Sequence, residues 1–215
     1  MSKFLARLIP LFLALLLAGC QAPVLVSLLV PSGQALLQDD FSNPASGWAH
    51  AVSRYGVMDY DNGTYRMLVL APNYDLWAVT GRTFGDVRLE VGTTMVDGPA
   101  DNRFGLVCRF RDAQDFYFFI VSSDGYYAIG KVSGGKRSLL GQSMMAYNPV
   151  IVPGAGANRL RFDCVGSSLA GSVNGRLLAA AQDSDFPRGD VGLLVGNFGD
   201  VGADIAFDHF IVIKP

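Results

Sequence analysis

The amino-acid sequence predicts an all-β protein, a sandwich of two antiparallel sheets. Its 215 residues include 25 Gly, 14 Phe and 8 Tyr, whereas Lys occurs four times and Glu once. Amphipathic helices need charged residues on their outer face, and Lys and Glu usually supply them. Gly and aromatic residues instead favour short strands joined by frequent turns. Turn signals recur roughly every 8–12 residues from Leu36 onward, a spacing typical of a sandwich or barrel.

Alternating runs between these turns are the predicted strands. The clearest hairpin turns are Asp61-Asn62-Gly63, Ser123-Asp124-Gly125 and Asn174-Gly175, because Asn-Gly and Asp-Gly accept the positive φ angles of a type I′ turn. In chain order the predicted strands are 65–70, 77–80, 87–94, 104–111, 116–122, 126–132, 159–165, 169–173, 177–181, 189–196 and 203–213. Because no long helical interval separates them, two packed antiparallel sheets are expected.

Two cysteines are predicted to lie inside the sandwich. Cys108 shares a strand face with Phe110, and Cys164 shares one with Phe162. Side chains two residues apart point to the same face of a strand, so both sulfurs are expected to face the core. An oxidising compartment would permit a disulfide between Cys108 and Cys164, which we expect. Two buried free thiols are the alternative.

The N-terminus is typical of an exported protein. Lys3 and Arg7 are followed by the apolar run 8–18 and by Gly19-Cys20, which is the pattern of an export signal. A Cys directly after a small pair resembles a bacterial lipoprotein signal. That resemblance implies cleavage before Cys20 and a diacylglycerol on its thiol. The alternatives are an ordinary signal peptide with a chance Cys, or an uncleaved membrane helix over 8–30 that Pro10 and Pro23 disfavour.

Three regions are therefore expected. Residues 1–19 form the signal peptide, residues 20–35 the lipidated Cys and an apolar tether, and residues 36–215 the β-sandwich. We expect a location in the cell envelope, outside the cytoplasm, with the lipid holding the chain to a membrane. The net charge is −2 and the sequence has no basic run, so nucleic acid is not an expected partner.

Several strand-and-turn stretches resemble a known family. They are residues 37–44, 46–48, 105–110, 116–119, 123–127, 158–162, 173–175, 189–193 and 207–210. Together they resemble the concanavalin A-like (laminin-G/glucanase-type) jelly-roll modules of bacterial surface proteins, over residues 36–215. The resemblance implies a jelly-roll sandwich. It leaves function open, because that family includes sugar-binding modules, glycoside hydrolases and adhesion domains.

The sequence argues against catalysis. Jelly-roll hydrolases of this kind carry a Glu-x-Asp-x-x-Glu pattern, whose two carboxyl groups must flank one glycosidic bond. This chain has one Glu, Glu90, so that mechanism is absent. His50 and His209 are the only histidines, and no GxSxG nucleophile elbow occurs. We therefore expect no catalytic residues.

Carbohydrate binding is the favoured function, because sugar rings stack on exposed aromatic side chains while polar groups bind the hydroxyls. The candidate ligand residues are Trp48, Tyr74, Trp77, Arg109, Tyr126 and Tyr127. Each aromatic ring has an alternative place in the core. The chain is thus expected to be a lipid-anchored, non-catalytic module that recognises carbohydrate or a surface protein. The alternatives are an envelope glycoside hydrolase with an atypical active site and a structural or assembly lipoprotein.

No cofactor is expected, apart from a structural calcium ion as a weaker hypothesis. Asp40 lies at the start of the domain and Asp208 near its end, and the terminal strands of such sandwiches often lie side by side. Ca²⁺ takes six to eight oxygen ligands, so two carboxylates with carbonyl groups would form a site. Solvated Asp side chains at strand ends are the alternative.

Overall fold

The structure is a computed structural model that describes residues 32–215. The predicted signal peptide and Cys20 lie outside these residues. Within them every regular element is a β-strand, and no helix is present that would be long and apolar enough to cross a membrane.

Sixteen strands form two sheets. In chain order they are β1 (Ala35–Asp39), β2 (Ala51–Ser53), β3 (Gly56–Asp61), β4 (Thr64–Val69), β5 (Asp75–Val79), β6 (Val87–Asp97), β7 (Asn102–Asp112), β8 (Asp115–Val121), β9 (Tyr126–Ser133), β10 (Lys136–Leu139), β11 (Ala146–Tyr147), β12 (Asn158–Val165), β13 (Ser168–Val173), β14 (Arg176–Gln182), β15 (Asp190–Asn197) and β16 (Ala203–Ile213). The nine-stranded sheet has the order β14-β13-β12-β6-β16-β4-β3-β2, with β1 beside β16. The seven-stranded sheet has the order β10-β9-β8-β7-β15-β5, with β11 beside β9.

The predicted sandwich is confirmed. Each strand pairing is antiparallel, and the terminal strands β1 and β16 are neighbours, as expected. The predicted turns are also present. Asn62-Gly63 joins β3 to β4 with φ angles of 49° and 80°, and Asn174-Gly175 joins β13 to β14 with 50° and 79°. Sequence alternation missed the short strands β1, β2, β3, β10 and β11.

The main core lies between the sheets. Leu89, Val91 and Phe162 of the nine-stranded sheet face Leu106 and Phe119 of the seven-stranded sheet, and all five are fully buried. Large side chains on both inner faces exclude water from the interior of the sandwich, which is the main source of its stability.

The predicted disulfide is confirmed. Cys108 of β7 is bonded to Cys164 of β12, with 6.8 Å between their Cα atoms and both side chains fully buried. Because β7 and β12 belong to different sheets, the bond links the two layers covalently.

One part of the alternation prediction is wrong. A β-bulge interrupts the pairing of β7 with β8 after Cys108, and Arg109 has a φ of 50°. An extra residue in a bulge shifts the side chains that follow it to the other face of the sheet. Phe110 therefore packs on the outer face with Phe116 instead of beside Cys108, and Arg109 is buried.

Candidate functional site

The outer face of the seven-stranded sheet is concave. Arg137 lies on β10, at one edge of the sheet, and its guanidinium donates to the carboxylate of Asp75 on β5, at the other edge. At a spacing of about 4.8 Å per strand, a flat sheet would hold these edge strands roughly 24 Å apart. The contact therefore requires the sheet to curve toward its outer side. We call the concave face the groove.

The floor of the groove is apolar and aromatic. Val107, Phe118, Ile120 and Leu194 form a second buried cluster there, separate from the main core. Trp77 lies beside them, with its ring centroid 6.2 Å from that of Phe110 and 6.4 Å from that of Phe116. The alternation of β5, β7, β8 and β15 places these side chains outward, because the intervening residues fill the main core. Most of this floor is buried and gives the sheet a second packed layer, and Trp77 and Phe110 are its half-buried rings.

Two guanidinium groups share one carboxylate in the groove. Arg103 Nε donates to Asp75 Oδ1 at 2.7 Å, while Arg137 binds the other oxygen, Oδ2. The Arg103 side chain is only 7% exposed, and burial lowers the pKa of its guanidinium from the ordinary value. Its guanidinium carbon lies 4.5 Å from the ring centroid of Phe198, and that of Arg137 lies 5.4 Å from the ring centroid of Phe118. These are cation–π contacts, which hold both groups in place.

Exposed side chains form one end of the groove. Tyr126, Met144 and Phe198 are 40%, 72% and 44% exposed. They line a recess of 560 Å³ together with Asp101 and Asp124. A neighbouring recess of 480 Å³ contains Arg103 and Arg137, and the two recesses share Met145 and Phe198. The aromatic end and the guanidinium pair are therefore parts of one continuous surface.

The structure brings two of the predicted ligand residues to the groove. Trp77 lies on its floor and is half-buried, and Tyr126 lies at its exposed end. Tyr127 has the opposite parity on β9 and packs against the main core. Tyr74 also packs against that core, and its ring stacks on Tyr55 at 4.6 Å between centroids.

The expectation that Trp48 binds a ligand is corrected. Its side chain is 5% exposed, packs edge-on against Phe41 and Phe210, and donates from Nε1 to Asp39 Oδ2 at 2.9 Å. A ring enclosed on both faces offers no surface to a sugar.

Arg109 is corrected as well. It is 1% exposed, and its Nη1 donates to the carbonyl oxygen of Phe186 at 2.9 Å. The bulge at this residue turns the side chain into the interior, where the guanidinium supports the loop that precedes β15. It does not reach the groove.

Sequence reasoning missed Asp75, Arg103, Arg137 and Phe198. The sequence did contain a signal for Arg103. It alternates with the inward-facing Phe104, Leu106 and Cys108 on the same strand, so its side chain is expected on the outer face. No local signal identifies Asp75 as its partner, since the contact depends on the curvature of a sheet whose strands are distant in sequence. Phe198 follows β15 in a loop, where alternation makes no prediction.

The outer face of the nine-stranded sheet has a different character. It carries a polar recess of 640 Å³ that is lined by Thr64, Thr94, Arg159, Asp208 and His209, among others, with no Phe, Tyr or Trp among the described residues around it. Ion pairs cover the rest of this face: Arg159 with Glu90, Arg88 with Asp163, and Arg66 with Asp204.

The predicted calcium ligands make local contacts. Asp40 is exposed and accepts hydrogen bonds from the backbone and hydroxyl of Ser42, and hydrogen bonding to Ser42 lowers its pKa. Asp208 lies 2.7 Å from His209 Nδ1. Residues 32–215 contain no group of three or more His, Cys, Asp or Glu side chains that could hold a metal ion. These contacts give no support to the calcium hypothesis.

The fold is similar to those of several solved structures. The carbohydrate-binding module CBM66 from Bacillus subtilis matches with a TM-score of 0.64 and 19% identity, over 78% of this chain and 96% of that one. A Bacillus subtilis protein of unknown function with a galectin-like fold matches with a TM-score of 0.65 and 11% identity, over 86% and 97%. A Bacillus licheniformis β-glucanase matches with a TM-score of 0.62 and 12% identity, over 83% and 98%.

At these identities the likeness shows the fold, a jelly-roll or galectin-like sandwich, as the sequence predicts. The structural neighbours include both a carbohydrate-binding module and a glycoside hydrolase. No protein-family model matches the sequence, and no curated protein sequence matches it.

Proposed function

We propose that this chain is a non-catalytic carbohydrate-binding module whose ligand lies in the groove. The observation that carries the proposal is the concave sheet face itself, where Phe198 lies beside the guanidinium of Arg103, Tyr126 lines the adjoining recess and Trp77 is half-buried on the floor. Aromatic rings pack against the apolar faces of sugars, and nearby polar groups fix the orientation of the hydroxyls. The similarity to a module named as carbohydrate-binding supports the same function.

The charged groups of the groove favour binding over hydrolysis. Glycoside hydrolases need two carboxyl groups that flank one bond. Both oxygens of Asp75 are engaged by guanidinium groups, so Asp75 is poorly placed to accept or deliver a proton. Glu90 lies on the other sheet, 2.6 Å from Arg159. The remaining candidates are Asp101 and Asp124, which line one recess and support the alternative of a hydrolase with an atypical site.

We further propose that the module is held at the cell envelope by a lipid on Cys20. The support is the sequence pattern around Gly19-Cys20 and the confirmed disulfide, because such bonds persist in oxidising compartments outside the cytoplasm. A structural or assembly role on the same membrane is the alternative that the binding experiment addresses.

A glycan array probed with the full chain in detergent micelles tests the proposed binding. We expect micromolar binding to at least one glycan class, weakened at least about tenfold by Phe198→Ala, since an aromatic contact at the centre of a site commonly contributes this much. The matched control is Leu177→Ala. Leu177 is 61% exposed on β14 of the other sheet, and its removal should leave the affinity unchanged.

Two results would contradict this function. Equal affinity of the Phe198→Ala variant and the unaltered chain would place the ligand outside the groove. Release of new reducing ends from a bound glycan, abolished by Asp101→Asn or Asp124→Asn, would make the protein a hydrolase.

A further inference from the structure

We propose that the groove selects an acidic glycan, a sugar chain that carries carboxylate or sulfate groups. This inference rests on the proposed function and adds the chemical class of the ligand. The anion would bind between Arg103 and Arg137 in the 480 Å³ recess, with Phe198 beside it.

The first argument is the incomplete hydrogen bonding of Arg103. Its side chain is 93% buried, yet only Nε has a partner, Asp75, among the described residues. Nη1 and Nη2 are not sealed in the interior, because the fully enclosed side-chain atoms without a partner are Arg109 Nε and Asn197 Oδ1. These two donors are therefore accessible, and Arg103 lines the 480 Å³ recess. Buried donors are normally hydrogen-bonded, so an acceptor group of a ligand at this position would supply the hydrogen bonds that the Nη atoms of Arg103 lack.

The second argument is the charge of the cluster. Two guanidinium groups face one carboxylate, Asp75: that of Arg103, whose side chain is 7% exposed, and that of Arg137, whose side chain is 33% exposed, so the three groups together carry one positive charge without a direct partner. Asp101 is the other carboxylate that acts on Arg103, and it is exposed, so solvent screens it. Arg103 is the charge that is taken out of water, and it shares its single carboxylate with Arg137, whereas buried charges are normally fully paired. A ligand anion would supply the missing charge, whereas a neutral sugar would not.

The third argument is geometry. A guanidinium is a planar fork of donors that matches the two oxygens of a carboxylate or sulfate, and its pairs with such anions are commonly bidentate. The Phe198 and Phe118 rings fix both guanidinium groups from one side. Phe198 is 44% exposed, so part of its surface is left for the apolar face of the sugar ring that carries the anion.

Calorimetry on the full chain in detergent micelles tests the ligand class with three oligosaccharides of equal length. The probes are a neutral galactan fragment, an oligogalacturonate and a sulfated galactan fragment. We expect at least one acidic probe to bind about tenfold or more tightly than the neutral one, because hydrogen bonds to charged groups are about twice as strong as neutral ones. The two acidic probes distinguish carboxylate from sulfate. Higher NaCl concentration should weaken acidic binding and leave neutral binding unchanged.

Two variants with opposite expected effects localise the anion. Arg137→Gln should weaken acidic binding about tenfold more than it weakens neutral binding, and the control Arg176→Gln, an exposed Arg on β14, should change neither. Asp75→Asn should strengthen acidic binding, because it removes the carboxylate that competes for both guanidinium groups. A gain in affinity does not arise from misfolding.

The outcomes separate this inference from the proposed function. Neutral binding that is as tight as acidic binding, and is weakened by Phe198→Ala, would overturn the acidic ligand and keep the carbohydrate-binding function. Acidic binding that Arg137→Gln and Asp75→Asn leave unchanged would also overturn the inference. Absence of binding to every glycan would overturn both proposals.

Discussion

At the scale of single residues, Tyr117 connects the two sheets. Its ring belongs to the main core, and its hydroxyl donates to Asp183 Oδ1 at 2.5 Å while accepting the backbone N–H of Phe186. Lys131 Nζ binds the other oxygen of Asp183 at 2.5 Å. Burial, and then the bond to Asp183, raise the pKa of Tyr117 to about 12, so the hydroxyl remains a donor at neutral pH. The polar cluster thus closes one end of the core.

Asp183 makes the stability of the protein depend on pH. Burial opposes its ionisation, but the bonds from Lys131 and Tyr117 outweigh that effect and hold its pKa below the ordinary value. The unfolded chain then binds a proton more readily than the folded one. This contribution to stability is present above the ordinary Asp pKa of about 4, and it is lost as the pH falls below that value.

We therefore predict that the free energy of unfolding by urea falls between pH 5 and pH 3, and that Asp183→Asn reduces this fall. The substitution should also cost about 1–3 kcal/mol at pH 7, because Lys131 loses its less exposed partner. Asp200→Asn, at an exposed loop position, serves as the control and should behave like the unaltered chain. If the free energy of unfolding of Asp183→Asn fell with decreasing pH as steeply as that of the unaltered chain, Asp183 would not be the titrating group.

At the scale of elements, the disulfide has a role that hydrogen bonds between strands do not have. Backbone pairing holds each sheet together, but contacts between β7 and β12 cross from one sheet to the other. The bond joins residues 56 positions apart in the chain, so it constrains the unfolded state strongly in the chain-entropy model. It also fixes the layer separation next to the bulge at Arg109, where pairing with β8 is interrupted.

Replacement of both cysteines, Cys108→Ala with Cys164→Ala, should lower the free energy of unfolding by about 2–5 kcal/mol. A reducing agent should lower the free energy of unfolding of the unaltered chain and have no effect on that of the double variant. The double variant therefore controls for effects of the reductant other than cleavage of this disulfide. Urea denaturation with and without the reductant measures both. A double variant as stable as the unaltered chain would mean that packing alone sets the distance between the sheets.

Sequence patterns predicted elements well wherever the signal was local. Asn62-Gly63 and Asn174-Gly175 marked hairpins because few other residues accept their positive φ angles. The alternation of side chains along a strand correctly predicted that Cys108 and Cys164 face inward. The same alternation gave the wrong face for Phe110, two residues after Cys108. A bulge is decided by pairing with β8, not by the residues of β7 themselves.

The candidate site was less predictable for a related reason. Trp77 and Tyr126 were identified by residue type, but whether a ring is exposed depends on what packs over it. Trp48 is covered by Phe41 and Phe210, and Phe210 lies 162 positions away in the chain. The contact between Asp75 and Arg137 likewise exists because the sheet curves, and curvature is a property of all its strands together.

At the scale of the whole molecule, the two outer faces are chemically unlike. On the face of the nine-stranded sheet the ion pairs are partly exposed: Asp163 pairs with both Arg88 and Arg161, and Arg159 pairs with Glu90. The face of the seven-stranded sheet buries aromatic rings, and there Arg103 and Asp75 form an ion pair whose side chains are only 7% and 13% exposed. Paired charges on an exposed face stabilise little and require no ligand. Among the described residues, the two outer faces therefore differ in how deeply their charges are buried and in their aromatic content.

The proposed anchor would hold the start of the domain close to a membrane. A fully extended chain spans at most about 3.6 Å per residue, so Cys20 and Ser32 are separated by no more than roughly 43 Å. We predict that the mature protein from a bacterial host begins at a diacylglyceryl-modified Cys20 in mass spectrometry and sediments with membranes. Cys20→Ser should leave it in the soluble extracytoplasmic fraction or as an uncleaved precursor, whereas the control Ser27→Ala should behave like the unaltered chain. A mature chain with an unmodified Cys20, or one that still carries residues 1–19, would contradict the anchor. The proposed binding in the groove does not depend on that result.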